Sequence, residues 1–364
     1  MRRLLLIFVL MALAAAPASA QAPFDPRGVD PASPNPLAGL RLFVDHDTPA
    51  WEAWRKYTRR GQRGKAGLVW KIAREPRSLW FGRFTRPNFH FKVRRRIDAA
   101  KAAGEVPVFT LLRAESTRCS PTYLGGGRRG DRATRRWYDA MARAIGGDRV
   151  IIAFEPDSLG TIDCLARSRR SSRYKLLRYG VNALSKLPNA TIYLEAGASD
   201  WESAPLTAKK LRRIGVAKVR GFMLNATHYD WTAANIQHGL AVSRLLGGKH
   251  FVINTAENGR GPVHYKRWID RSRHIWRRIN IWCNPGLRGL GPAPTTATAS
   301  PARVDAYLWI NRPGFAQSCS GRKIDWFAPR ALTYARFATS WIHAPKGTVH
   351  GHFKRYPPSA FGIP

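Results

Sequence analysis

Short apolar runs recur along the chain at intervals of roughly 25 to 55 residues, too far apart for hairpins and suited to parallel strands joined by helices. The runs are Leu40–Val44, Leu79–Phe84, Val106–Leu112, Val150–Phe154, Thr191–Leu194, Gly221–Leu224, Phe251–Ile253 and Ala306–Ile310. Between them, Ala133–Ile145 and Tyr174–Lys186 repeat apolar residues three and four apart, the period of a helix with one buried face. Strand and helix in alternation predict a parallel sheet covered on both faces. With about seven to eight such units and one composition throughout, the expectation is a single-domain α/β fold, a closed or nearly closed TIM-like β/α barrel rather than an open doubly wound sheet.

The 364 residues are 44% hydrophobic, which excludes a disordered or fibrous chain. Met1–Ala20 carries Arg2 and Arg3, an apolar run from Leu4 to Ala16, and Ala18-Ser19-Ala20, the plan of a secretory leader with its cleavage site. The expected organisation is a signal peptide over 1–20, a Pro-rich extended linker over 21–36, the barrel domain over 37–345 and a C-terminal tail over 346–364. No later apolar run approaches the roughly 18 residues of a membrane span, so the mature protein is expected to be exported, extracellular or in the cell envelope, with no membrane partner. A monomer is expected.

Cys119, Cys164, Cys283 and Cys319 make an even set, and thiols in an oxidising compartment pair. Three connectivities exist; Cys119–Cys164 with Cys283–Cys319, which closes two loops in chain order, is preferred and the others stay open. No C-x-x-C pair and no histidine at finger spacing supports a metal, and neither metal nor cofactor is expected.

Lys and Arg number 61 against 23 Asp and Glu, a formal charge of +38; taking Arg2 and Arg3 away leaves +36. The clusters Arg55–Lys65, Lys92–Arg96, Arg167–Lys175, Lys209–Arg213 and Arg271–Arg278 fall between the strand-like runs and read as solvated faces of outer helices or loops. The functional rival is retention on an anionic cell-wall polymer. No nucleic-acid-binding motif accompanies the charge, so nucleic acid is not an expected partner.

Polar residues gather where the runs end, the level at which barrels carry chemistry. Val44 is followed by Asp45-His46-Asp47, Phe154 by Glu155-Pro156-Asp157-Ser158, Leu194 by Glu195, and Leu224 by Asn225-Ala226-Thr227-His228-Tyr229. Trp80, Trp201, Tyr229, Trp231 and Trp282 lie at the same level. Carboxyl groups among indoles suggest sugar chemistry, because pyranose rings stack on indole faces and acetal cleavage needs carboxyls. Asp157, set directly after a buried strand, is placed to have its pKa raised by burial and to act as a general acid. Ser158 has no nucleophile-elbow context, Gly125-Gly126-Gly127 lacks the Lys of a phosphate loop, and Asp45-His46-Asp47 reads as capping rather than metal ligation.

At Val150–Leu165 the chain resembles glycoside hydrolase family 6, the inverting endoglucanases and cellobiohydrolases of β-1,4-glucan, whose proton-donor motif is E-P-D-S-L. Asn35–Gly39, Trp80–Gly82, Tyr193–Trp201, Asn225–Tyr229, Asn258–Pro262, Trp282–Gly291 and Leu308–Gly314 match further motifs in the family's order. The resemblance implies a distorted, incomplete β/α barrel, a β-1,4-glucan or related polysaccharide as substrate, and Asp157 as the acid. It implies sugar contacts at Trp80, Trp201 and Trp282, and a tyrosine crowding the cleavage subsite at Tyr229. The cysteines fall where the family's two disulfides lie, which favours the chain-order pairing.

Departures from the family pattern sit in its catalytic segments. Arg118 precedes Cys119 where the family has an aspartate assisting the acid, and Asn311–Cys319 lacks the family's lysine and both acids, with Phe315 and Gln317 at the acid positions. Glu195 stands where an aspartate is common. Gln317 cannot take a proton, so the remaining candidates for a base are Glu155, Glu195, Asp45 or a water chain. A non-catalytic glycan-binding protein is the alternative from a different class.

Overall fold

The computed structural model describes residues 24–82, 88–114, 127–270, 272–273, 275–280, 284–298, 302–316 and 326–344. Seven parallel strands form one sheet: β1 (Leu79–Gly82), β2 (Val108–Leu112), β3 (Val150–Phe154), β4 (Ala190–Glu195), β5 (Gly221–Leu224), β6 (His250–Asn254) and β9 (Val304–Leu308), hydrogen-bonded in that order. Helices α1 (Pro49–Arg59), α2 (Arg63–Ala73), α3 (Phe89–Ala102), α4 (Gly127–Ile145), α5 (Arg167–Leu184), α6 (Ala204–Ile214), α7 (Thr232–Leu245) and α8 (Ala328–Arg336) accompany it. The sheet curls into a half-barrel, because β1 and β9 do not pair as strands. Across that seam the Ser78 N–H donates to Trp309 O at 2.9 Å and the Trp80 indole N–H to Ile310 O at 2.8 Å.

Alternation along the strands sorts the core. Val150, Ile152 and Phe154 of β3 face the helical layer, packed with Tyr138, Leu177 and Val181. Ile151 and Ala153 face the barrel interior, with Tyr193, Met223, Val252 and Ala306. A third cluster joins α1, α2 and α8 to Tyr229, Leu290 and Trp309.

Three expectations are corrected. Leu40–Val44 forms no strand, only an isolated parallel bridge from Leu42 to Val106, because a turn closes at Leu40 on one side and the Glu105 side chain takes the Val44 N–H on the other. Arg271–Arg278 was expected in a helix or loop, but β7 (His264–Asp270) and β8 (Ile275–Asn280) pair as an antiparallel hairpin over that stretch. The Pro-rich segment is no free linker, since residues 24–36 lie across the N-terminal ends of the strands. There Lys249 Nζ donates to Val29 O at 2.6 Å, Thr191 Oγ1 to Pro26 O at 2.9 Å, and Arg220 Nη1 to Gly28 O at 3.1 Å and to Ser33 Oγ at 2.9 Å. Arg220 is itself held by Asp305 through Nε to Oδ2 at 2.7 Å and Nη2 to Oδ1 at 2.9 Å, and both side chains are fully buried. Buried polar groups need partners, and the carbonyls of this strap supply them.

Candidate active site

The turn after β3 is tightly constrained backbone. Glu155 and Asp157 both have positive φ, 55° and 66°, a conformation that costs energy in side-chain-bearing residues and persists where neighbours over-determine it. Glu155 supplies that determination. Its fully buried carboxylate accepts the N–H groups of Arg113 (2.9 Å) and Ala114 (2.8 Å) and the Tyr138 hydroxyl (2.7 Å), and its carbonyl accepts the Ser158 hydroxyl at 2.7 Å. Such a carboxylate is a strut between the ends of β2 and β3, not a free base.

Glu195 holds the other side of the turn. Its Oε2 accepts from the N–H groups of Leu159 (2.8 Å) and Gly160 (3.2 Å), and its Oε1 from Gly197 N–H at 2.6 Å. It thereby caps the short 3₁₀ helix Gly160–Cys164 that follows Asp157. Burial and the neighbouring Asp157 charge push its pKa up to about 8, against the three backbone donors. Asp45, the third sequence candidate for a base, pairs with Arg96 at 3.2 Å and accepts the Asp47 N–H.

Between these struts the Asp157 carboxyl is partly buried, with Oδ1 accepting the Thr227 hydroxyl at 2.5 Å. Burial raises its pKa, opposed by the Thr227 hydrogen bond and by His228. That direction suits a proton donor. His228 Nδ1 lies 2.8 Å from Asp200 Oδ1, and burial works against its charge, yet Asp200, Asp157 and Glu195 outweigh burial and hold the imidazole's pKa above its ordinary value.

The carbonyl side of the neighbouring strands is tied by asparagines. Asn225 Nδ2 donates to Asn254 O at 3.0 Å and Asn254 Nδ2 returns to Asn225 O at 2.8 Å, while Asn254 Oδ1 accepts Ile310 N–H at 2.9 Å. Beyond β6, Glu257 is 1% exposed, accepts from Asn311 Nδ2 at 2.6 Å and lies 4.0 Å from Arg330 of α8, which also donates to the Tyr229 hydroxyl at 3.1 Å. Burial pushes Glu257 up to about 7.

A model of glycosyl hydrolases family 6 matches residues 37–342. The chain belongs to that family. Among relatives, endoglucanase A of Cellulomonas fimi is 31% identical over 310 residues, covering 84% of this chain and 62% of the relative. Endoglucanase A of Thermobispora bispora is 28% identical over 76% of this chain and 58% of its own length. This family 6 chain therefore spans about three fifths of the length of those curated relatives. Among solved structures, the endoglucanase Cel6 of Mycobacterium tuberculosis, in complex with methyl-cellobiosyl-4-deoxy-4-thio-β-D-cellobioside, superposes with a TM-score of 0.72 at 36% identity, covering 83% of this chain and 99% of that one. The Humicola insolens endoglucanase CEL6B shares the fold, with a TM-score of 0.67 at 19% identity, over 85% of this chain and 100% of its own.

The family 6 aromatic positions fare differently from one another. Trp80 lies beside a cavity of about 180 Å³, and the Arg312 guanidinium sits over its ring at 4.7 Å. Trp201 stacks on His228, with centroids 4.8 Å apart and planes 15° apart, and its six-membered ring presses on the Gly160 backbone, where a Cβ would come within 2.5 Å. One face and one edge of that indole are therefore spent on the acid turn. Tyr229 is 2% exposed and belongs to the cluster with Trp309 and Tyr334, so it lies behind the site's surface rather than on it. Trp282, Cys119, Cys283, Cys319, Arg118 and Gln317 lie outside the described residues. Cys164 is disulfide-bonded. The sequence reading named no role for Thr227, His228, Glu257 or Arg312. Thr227, His228 and Arg312 stood in quoted motifs and Glu257 one residue before another, so a polar residue within four positions of a strand end was the signal available.

Proposed function

We propose that this chain hydrolyses β-1,4-glucan or a related polysaccharide, with Asp157 as general acid delivering a proton to the glycosidic oxygen. The observation that carries this reading is the Asp157 carboxyl itself, raised in pKa by burial, aimed by Thr227 and set on a turn held from both sides by Glu155 and Glu195. An inverting reaction also needs a water activated on the far face of the ring. Glu155, Glu195 and Asp45 are each engaged by other groups, so the attacking water's proton passes along further water to bulk solvent, which also reprotonates Asp157, rather than to a dedicated carboxylate. Trp80 and Trp282 border the bound chain, Trp201 backs the acid turn, and Tyr229 lies behind the cleavage position.

In the same reading residues 1–20 are a secretory leader, residues 37–345 are the catalytic domain with 24–36 as its strap, and 346–364 are a tail. Cys119 pairs with Cys164 and Cys283 with Cys319, as suits an exported monomer, and the basic surface favours anionic wall polymers. The Arg118, Phe315 and Gln317 departures favour a second reading, a glycan-binding protein without turnover. Reducing-end release from a panel of soluble glucans, xylans and mannans, with Asp157→Ala beside the wild type, separates the two. Positioned acids contribute about 10²–10⁴-fold, so the variant should lose at least that much on the preferred glucan. Glycan binding with no release by the wild type would establish the second reading in place of the first.

A further inference from the structure

The cavity beside Trp80 is lined by both signs of charge, Arg77, Arg96 and Arg312 with Asp45, Asp47 and Glu75, but the ion pairs leave two of the arginines out. Glu75 pairs with Arg74 at 3.2 Å, Asp47 with Arg95 at 2.7 Å and Arg96 at 3.1 Å, and Asp45 with Arg96 at 3.2 Å. The ion pairs of the three acids thus go to Arg74, Arg95 and Arg96, and none goes to Arg77 or Arg312. Arg77 is 9% exposed, and no carboxylate pairs with it or with Arg312 among the described residues. Arg312 Nε is buried without a hydrogen-bond partner. Burial lowers the pKa of both guanidiniums to about 10; the charge of Arg77 adds to the effect at Arg312, while Asp45 opposes it at Arg77 and Glu257 at Arg312.

Arg312 is also held in a particular attitude. Its guanidinium carbon lies 4.7 Å from the Trp80 ring centroid and 4.5 Å from that of Phe315. A guanidinium packed against ring faces keeps its donors in its own plane, pointing away from the rings, which is the geometry that receives a carboxylate two oxygens at a time. Asp45 acts on Arg77 and Glu257 on Arg312 only from beyond ion-pair distance, and desolvated cations held by no direct ion pair are costly in a protein interior, a cost that an entering anion recovers. At about 180 Å³ the space is below the roughly 300 Å³ at which pockets begin to enclose drug-sized ligands, which suits one sugar ring rather than a chain.

We infer that this cavity is a subsite for a pyranose carrying a carboxylate, so that the chain selects β-1,4-linked glycans containing uronic acid units over neutral glucan, with Arg312 and Arg77 binding the carboxylate and Trp80 lining the site. The inference deepens the hydrolase reading and rests on it. Phe315, which at the sequence level is a lost acid, here removes a negative charge from the place where the anion binds and contributes a ring against which Arg312 packs.

The test is calorimetric binding of cellotetraose and of cellotetraose oxidised to carboxylate at C6, at low ionic strength, to the full chain. The oxidised ligand should bind about tenfold or more tightly than the neutral one, and Arg312→Gln should bring the ratio of affinities near one. Lys209→Gln, an exposed charge on α6, controls for the general positive field and should leave the ratio intact. Should Arg312→Gln not fold, Arg312→Lys keeps the stem and charge but loses the fork, and should reduce the ratio at least about threefold. A ratio near one in the wild type, a preference that survives either Arg312 change, or a preference abolished by Lys209→Gln overturns the inference. Neutral cellotetraose bound and cleaved without acid preference overturns it alone, whereas absence of binding and cleavage for both ligands takes the hydrolase reading with it.

Discussion

The Thr227 hydroxyl donates to Asp157 Oδ1 at 2.5 Å, joining the end of β5 to the acid turn of β3 across the intervening strand. A donor to the carboxylate favours its ionised form, so this bond restrains a pKa that burial pushes upward. Thr227→Val removes the restraint. A general acid works only while protonated, so activity is lost as pH rises through its pKa, and the variant's alkaline limb in kcat/KM should move to higher pH. Turnover should fall about tenfold because Asp157 loses its orientation. A pH profile of both proteins on one soluble glucan measures this, and an alkaline limb that stays put would remove Thr227 from the mechanism.

Glu257 offers a stability test with a defined sign. Its ordinary pKa of 4.5 is raised to about 7 in the fold by burial, so folding takes up a proton there. The associated stability is fully present below about 4.5 and is lost as pH rises through about 7. Glu257→Gln has no such titration. The difference in Tm, variant minus wild type, should therefore grow more positive from pH 4.5 to 7 and level off above, as read by calorimetry across that range. A difference independent of pH would mean that Arg330 holds Glu257 ionised throughout.

At the opposite end of the barrel, Asp305→Ala would strand Arg220, which is fully buried and makes its ion pair with that carboxylate. Removing one partner of a buried pair costs about 3–5 kcal/mol, more than the pair itself contributes. Denaturant unfolding should report that loss. Hydrogen exchange should also speed up over residues 24–36, since Arg220 holds Gly28 and Ser33. Destabilisation without faster exchange in the strap would separate the ion pair from the segment.

The architecture was legible because buried parallel strands are continuous apolar runs, and seven of the eight runs found their place in the sheet. Asp157 was legible for a related reason, as an acid set directly after such a run. What the sequence concealed is long-range satisfaction of polar groups. Nothing in Ala22–Pro36 announces that its carbonyls end over Arg220 and Lys249, and composition alone makes it a linker. Glu155 and Glu195 look like catalytic candidates in one dimension because their backbone partners, Ala114 and Leu159, are contributed by other loops. Indoles are similarly ambiguous, since Trp201 and Trp80 differ only in which neighbours cover their faces.

The contact between Gly160 and Trp201 decides whether that indole serves the acid turn. A Cβ on Gly160 would lie 2.5 to 2.8 Å from Cζ2, Cη2 and Cε2 of Trp201, closer than side chains tolerate, so Gly160→Ala must displace either the ring or the turn carrying Asp157. Either shift also strains the capping bond from Gly160 N–H to Glu195. Gly160→Ala should reduce kcat at least about tenfold, as misplacing a catalytic group does, and overpacking should cost about 1–3 kcal/mol of stability. Trp201→Phe lacks the crowded atoms, so the double variant should be more stable than the sum of the single changes predicts, by about 0.5 kcal/mol or more. Denaturation midpoints for the four proteins, read beside their kcat values, complete the cycle. Additive stabilities would return Trp201 to the role of a sugar platform independent of the acid turn.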